Sequence, residues 1–256
     1  MMRRFGLLVI CFLSLVATAQ LASSATTRNS LREFDPIDFG AVPDNSASAT
    51  VNVTAFQAAI DAANAAGRGT VWVGPGDWYV NAAVLLKNEV HVKGAGRFET
   101  RIISTTTNTA VLSASGTGAR TNIFVSDLTV DRCVPAAFVV TCNCLPTSLC
   151  TGNLPVSGAW GIRISSTDNH SFLSGLENVY ILHQFNGLEI GPMGGGTVSD
   201  VTIQQSWNDG ATVLGANGQW HNVNILASGG HAFNYVPTAI AGDGGPALRQ
   251  GAQLAG

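Results

Sequence analysis

The sequence predicts an all-β protein wound as a solenoid of about 22 residues per coil, with a short α-helix capping its N-terminal end. Three observations predict it. The blocks Leu176-Glu177-Asn178-Val179-Tyr180-Ile181, Val198-Ser199-Asp200-Val201-Thr202-Ile203 and Trp220-His221-Asn222-Val223-Asn224-Ile225 align without gaps, so positions 178, 200 and 222 recur at a step of 22. Composition is rich in turn formers, with 29 Gly and 9 Pro, and only 11% of residues are charged, against about 25% in an average soluble domain. A single helical stretch stands ahead of the repeats.

The elements follow in chain order. Arg3 and Arg4 open the chain positively, Phe5 to Val16 form an apolar run, and Ala17-Thr18-Ala19 fits a small-x-small cleavage pattern, so residues 1–19 are expected to be an export signal. The run is shorter than the roughly twenty residues a span requires, which predicts a secreted protein, extracellular or periplasmic, with no stable membrane insertion once the signal is removed. Residues 20–34 read as a linker and residues 35–256 as one domain. With 46% hydrophobic residues the chain has material for a core, which excludes a disordered protein. A net charge of −3, with lysine only at Lys87 and Lys93, excludes a nucleic-acid partner, which would need a basic patch.

Val53 to Ala66 is predicted helical, with Phe56, Ile60 and Ala63 on one stripe and Gly67 as its stop. Such a helix would cover the first coil, whose bare strand edges and apolar cross-section would otherwise meet water. Each repeat block places Asn or Asp before an apolar-x-apolar strand, and a second short strand follows a glycine: Gly187-Leu188-Glu189-Ile190, Gly210-Ala211-Thr212-Val213 and Gly230-His231-Ala232-Phe233. Looser copies occur at Glu89-Val90-His91-Val92 and Asp127-Leu128-Thr129-Val130. About three strands per coil are expected, stacked about 4.8 Å apart. Asn178, Asp200 and Asn222 would lie one above another as a structural side-chain ladder. Asp131 is expected in a turn.

Cys133, Cys142, Cys144 and Cys150 fall in one short window, expected to be a surface loop stapled by disulfides. Cys133 would pair with Cys142 or Cys144, and Cys150 with the other. The spacing matches no common zinc knuckle, no acid cluster for calcium is visible, and the sequence calls for no metal or other cofactor. Asn52-Val53-Thr54 and Asn169-His170-Ser171 have the form of glycosylation sequons. After Phe233 the chain turns to a Gly/Ala-rich tail with no helix to close the stack, so it is expected to be incomplete or poorly capped at its C-terminal end.

Several segments resemble a known superfamily. They are Asp38-Phe39-Gly40-Ala41, Thr54-Ala55-Phe56-Gln57-Ala58-Ala59-Ile60-Asp61-Ala62-Ala63, Gly69-Thr70-Val71-Trp72-Val73-Gly74-Pro75-Gly76-Asp77-Trp78-Tyr79-Val80 and Val92-Lys93-Gly94-Ala95-Gly96. Together they look like the opening of pectate-lyase-like proteins, in the rhamnogalacturonase, polygalacturonase and epimerase-like branch. The resemblance implies a right-handed parallel β-helix and a polysaccharide substrate. The branch's D-G-x-x-D-D-T segment is replaced here by Asp44-Asn45-Ser46 and Asn52-Val53-Thr54.

Trp207-Asn208-Asp209-Gly210 is similar to the N-T-D-G strand motif of polygalacturonases, where the Asp belongs to the catalytic carboxylates. The resemblance therefore nominates Asp209 as lead acid, with Asn208 and Trp207 beside substrate. One coil later the family shows paired Asp residues and then His-Gly, where this chain has Gly229-Gly230-His231. Glycoside hydrolysis needs two carboxyl groups about 5 to 9.5 Å apart. Asp209 is expected to have Asn186 below it and Gly229 above it, with Glu189 three positions along on the neighbouring coil. Glu189 and His231 are the candidates to assist. Arg163 and Glu189 occupy matching outward positions, either as a surface ion pair or with Arg163 gripping a uronate carboxylate. Trp160, Trp207 and Trp220 are either sugar platforms or core. The expected function is hydrolysis of an acidic polysaccharide such as pectin; the alternative is a non-catalytic polysaccharide-binding or surface structural β-helix.

Overall fold

The computed structural model describes residues 32–132, 157–166, 171–236 and 254–255. The expected export signal, the four-cysteine window, the sequon at Asn169 and most of the Gly/Ala-rich tail lie outside the described residues. Among those described, no helix is long and apolar enough to cross a membrane.

Among the described residues two sheets make the solenoid, one of 13 strands and one of six. Neighbouring strands pair in parallel, as stacked coils require. One coil shows the path: Gly175–Leu182 lies in the large sheet, Asn186–Gly191 in the small one, and Met193–Ser206 returns to the large sheet. The expected three strands per coil appear as one small-sheet strand and two legs of the large sheet. The legs meet at a bend where Asp200 takes a left-handed conformation, φ 54°.

The 22-residue pattern positions this bend. Asp127, Asn178, Asp200 and Asn222 all have positive φ, at 56°, 52°, 54° and 48°. Asn and Asp tolerate that region because a short polar side chain can bond locally. Here the bonds run between coils: Asn178 donates to Asp127 Oδ1 at 2.8 Å and Asn222 to Asp200 Oδ1 at 2.7 Å. The predicted ladder is thus also a column of bends.

Inside the column run stacked apolar side chains: Val125, Leu176 and Val198; Leu128, Val179 and Val201; Val130, Ile181 and Ile203. All are buried. The small sheet closes the core from the other side with Leu112, Ile162, Leu188 and Ala211 in register.

The capping helix, α1, spans Ala49–Ala65, starting ahead of the predicted boundary. The earlier start follows from a tertiary contact that periodicity does not show. Asn52 is fully buried in its first turn, accepting from Val42 N at 2.7 Å and donating to the carbonyls of Val42 and Tyr79, both at 3.0 Å. A glycan cannot be attached there in the folded chain, so the first sequon is a structural asparagine. Phe56, Ile60 and Ala63 are buried as predicted, and Phe56 meets Trp78 edge-on with ring centroids 5.6 Å apart. Gly67, φ 83°, turns the chain out of the helix. Arg32–Phe34, expected in the linker, is a strand paired with Gly69–Val71 under the helix.

Two expected alignments shift. Glu89 stacks below Asn122, whose amide donates to it at 2.8 Å, so this looser copy belongs to a different column from Asp127. In the last coil Ala211 pairs with Phe233, which puts Ala232, not Gly230, above Gly210. A slip of two residues leaves every side chain on its own face, so alternation alone cannot separate the two alignments.

Candidate functional site on the small sheet

The outer face of the small sheet gathers most of the nominated residues. Pairing places Ser113, Arg163, Glu189, Thr212 and Asn234 one above another. They face outward because their neighbours Ile162, Ile164, Leu188 and Ile190 fill the core. Arg163 and Glu189 pair as expected, Nε to Oε1 at 2.6 Å. Glu189 is more buried than a surface ion pair implies: its side chain is 7% exposed, and Ser165 Oγ donates to the same oxygen. The Arg163 guanidinium also lies 5.7 Å from the Trp160 ring centroid. This carboxylate is held by two donors, Arg163 Nε and Ser165 Oγ, on the same oxygen.

Asp209 sits where the chain enters the small sheet. Asn186 lies below it, as expected, with its Oδ1 accepting from Asp209 N at 3.3 Å. Above it stands His231, not Gly229; Gly229 instead bonds through its N–H to Ser206 O. The physical reason is the 22-residue step, which carries through the turn and brings the histidine onto the acid. His231 gives Asp209 Oδ1 two contacts, from its backbone N at 3.0 Å and from Nδ1 at 3.2 Å. Asn234 donates to Oδ2 at 2.8 Å and Thr212 Oγ1 lies 3.4 Å from the same oxygen. Burial by itself would raise the Asp209 carboxyl, but hydrogen bonds from Asn234 and His231 and the histidine's charge outweigh it and hold the pKa below the ordinary value. Asp209 is therefore a persistent anion, suited to orienting a histidine and ill suited to being a general acid.

The remaining nominees divide. Asn208 donates to Asn186 Oδ1 at 2.9 Å, continuing an amide ladder beside Asp209. Trp207 is half-buried at the same turn. Trp220 is core, 2% exposed and edge-on to Phe233. Among the described residues, no group of three or more His, Cys, Asp or Glu is arranged to hold a metal ion.

A second polar cluster escaped sequence reasoning. Asp131, expected in a turn, lies within the strand Phe124–Arg132 and is fully buried. It accepts from His183 Nδ1 at 2.8 Å, Arg101 Nη2 at 2.9 Å and Arg132 N at 2.7 Å. Burial pushes its pKa up, but the bonds and charges of His183 and Arg101 win and leave it lowered. Arg101 also reaches Asp77 at 3.2 Å, beside Tyr79, whose hydroxyl is pushed up to about 12 chiefly by burial and secondly by the Asp77 charge. Buried Arg132 binds Gln184 Oε1 at 2.9 Å, Ser104 Oγ at 3.2 Å and the carbonyls of Thr106 and Thr109. The only sequence signal was Asp131-Arg132 at the end of an apolar strand, because its partners come from three other coils.

Comparison with known proteins agrees with this architecture. The chain is 39% identical over 110 residues to mannuronan C5-epimerase AlgE3 of Azotobacter vinelandii, a stretch covering 39% of this chain and 6% of that protein. Alginate lyase 7 of the same organism is 36% identical over 110 residues, 39% of this chain and 12% of the lyase. The chain thus matches only a small part of these curated relatives. Among solved structures, the Agl-KA catalytic domain superposes with a TM-score of 0.60 at 19% identity, covering 87% of this chain and 36% of that one. The A-module of Azotobacter vinelandii mannuronan C-5 epimerase AlgE4 superposes with a TM-score of 0.56 at 24% identity, covering 80% of this chain and 54% of the module. The sequence profile of the rhamnogalacturonase A/epimerase, pectate-lyase-like family matches residues 37–240. Stacked parallel coils, a capping helix and a profile match over most of its length establish that the chain belongs to that carbohydrate-active family.

Proposed function

We propose that this chain is a secreted protein acting on an acidic polysaccharide at the outer face of the small sheet, by proton transfer beside a uronate carboxylate. The observation that carries the reading is the Asp209–His231 pair, set above the Arg163–Glu189 pair on one face. Asp209 receives the Nδ1 proton of His231, which makes Nε2 the basic nitrogen, and the His231 side chain is 75% exposed. Arg163 spends Nε on Glu189, leaving the Nη end of its fork for a substrate carboxylate. Arg163 stands three coils from His231, about 14 Å at 4.8 Å per coil, so it grips a uronate further along the polymer and seats the reacting sugar at His231. Nε2 removes the proton from the carbon beside the reacting uronate's carboxylate; the carbanion then either takes a proton from water on the opposite face, which gives epimerisation, or expels the linked sugar oxygen, which takes the proton back from the imidazolium and so gives elimination. The relatives named as an epimerase and a lyase lie within this chemistry.

Hydrolysis is the second reading, favoured by one observation: Thr212 stacks on Glu189 and contacts Asp209, so two carboxyl groups stand on adjacent coils of one face. The two readings give different products. Purified protein is incubated with polygalacturonate, rhamnogalacturonan and alginate, and reducing ends, unsaturated ends and sugar stereochemistry are measured together. Unsaturated or inverted uronate is the expected outcome, with His231→Ala and Asp209→Asn each lowering the rate about 10²-fold. Saturated reducing ends alone would establish hydrolysis. Binding without any product would establish a non-catalytic β-helix.

A further inference from the structure

A different face of the solenoid carries an exposed cationic and aromatic ledge. The loop between Gly94 and Thr100 folds over the large sheet and is held there by Thr129, whose hydroxyl donates to Arg97 O. This places the Arg97 guanidinium 5.4 Å from the Phe98 ring centroid and 5.1 Å from that of Tyr180. The two rings meet edge-on, 5.9 Å apart at 83°. Tyr180 is fixed in turn by a hydroxyl bond to Gln204.

Two features of the ledge are unusual for a merely structural corner. Phe98 is 72% exposed, the most exposed of the large apolar side chains among the described residues. Arg97 has no carboxylate partner among those residues, and its Nε is buried with no hydrogen-bond acceptor. An immobilised cation without a counter-charge, on a protein of net charge −3, selects for an anionic ligand. A bare ring beside it offers a flat apolar surface of the kind that packs on a sugar face. Thr202 and Asn224 continue the column above Tyr180, half-exposed and exposed respectively, and supply hydroxyl and amide partners for sugar hydroxyls.

We propose that Arg97, Phe98 and Tyr180 form a second binding site for an acidic oligosaccharide, separate from the small-sheet face. The ligand class rests on the function proposed above, but the two ideas fail separately, because this one is read by binding and that one by product formation.

The test is calorimetric titration of the full chain with uronate hexamers, mannuronate and galacturonate in parallel, against a neutral glucan hexamer. Phe98→Ala and Arg97→Gln are each expected to weaken uronate binding roughly tenfold, and Phe98→Ala, which removes an exposed ring, to leave thermal unfolding unchanged. Arg97→Gln should also flatten the salt dependence. Asp209→Asn, on the other face, should keep ledge binding while losing turnover. Equal affinity of wild type for the neutral hexamer, no uronate binding by wild type, or uronate binding indifferent to both ledge substitutions would each overturn the proposal. Loss of binding in the ledge variants upholds it even where no polymer is turned over.

Discussion

At the scale of single residues, the two acids of interest are both anions by construction. Asp131 and Asp209 have folded pKa values below the ordinary carboxyl value, through bonds that outweigh burial. The stability they contribute is therefore fully present above the unfolded carboxylate pKa and is lost as pH falls through the lower folded value. Denaturant titrations from pH 5 downward should show stability falling below about pH 4, and Asp131→Asn should be less stable at pH 5 and fall less steeply, so that the two curves approach each other in acid. Parallel curves would show that Asp131 titrates alike in both states. Its neighbour Arg132 fastens three coils through one guanidinium. Arg132→Met should cost about 3 kcal/mol, measured as a lower denaturation midpoint, because Gln184, Ser104 and the 106–109 carbonyls lose their buried donor.

At the scale of elements, the stacked turns show what sequence could and could not convey. The Asn178–Asp200–Asn222 column and the stripe on α1 were legible, because each repeats at a fixed spacing set by a local rule. The Asp131–His183–Arg101 cluster was not: its members lie on coils separated by unequal stretches, so no period links them. The His231–Asp209 contact was half legible, since the residues were nominated but the slip of two in the last coil hid their stacking. A second column of bends, His183, Gln205 and Ala227, has φ values of 53°, 57° and 56°. Alanine has no side-chain bond to offset that conformation, so Ala227→Gly should stabilise the protein by about 1 kcal/mol, where most glycine substitutions destabilise. The glycines opening the small-sheet strands have the opposite character. A Cβ on Gly187 would stand 2.4 Å from both Gly210 O and the Ile203 side chain. Gly187→Ala should cost about 3 kcal/mol, read as a lower midpoint.

At the scale of the whole molecule, each coil is stabilised mainly by the coils next to it, so stability is graded along the stack. The N-terminal end is closed by α1, whose Phe56, Ala59, Ile60 and Ala63 are fully buried against the first coils. The middle coils bury apolar columns on both sides, with Val179, Ile181, Leu188, Ile190, Val201 and Ile203 all at 0% exposure. Among the described residues, the coil that holds Asn224–Ser228 and Phe233–Val236 is the least buried: Asn224, Leu226 and Ala227 are exposed and Ile225 only half-buried, and Tyr235 and Val236 are also exposed. Fewer buried contacts mean a lower free energy of local opening. Native-state hydrogen exchange should therefore show the slowest amides in 175–206, intermediate rates in the strands beneath α1, and the fastest exchange of any strand amides in 224–236. His231 and Asn234 belong to that coil, so the candidate site is built partly from the least protected segment. An acidic oligosaccharide bound at the small-sheet face should slow exchange selectively in 224–236, whereas one bound only at the Phe98 ledge should slow 95–100 and leave 224–236 unchanged. Uniform protection along the stack would show that the solenoid opens as a single cooperative unit and would remove the basis for this gradient.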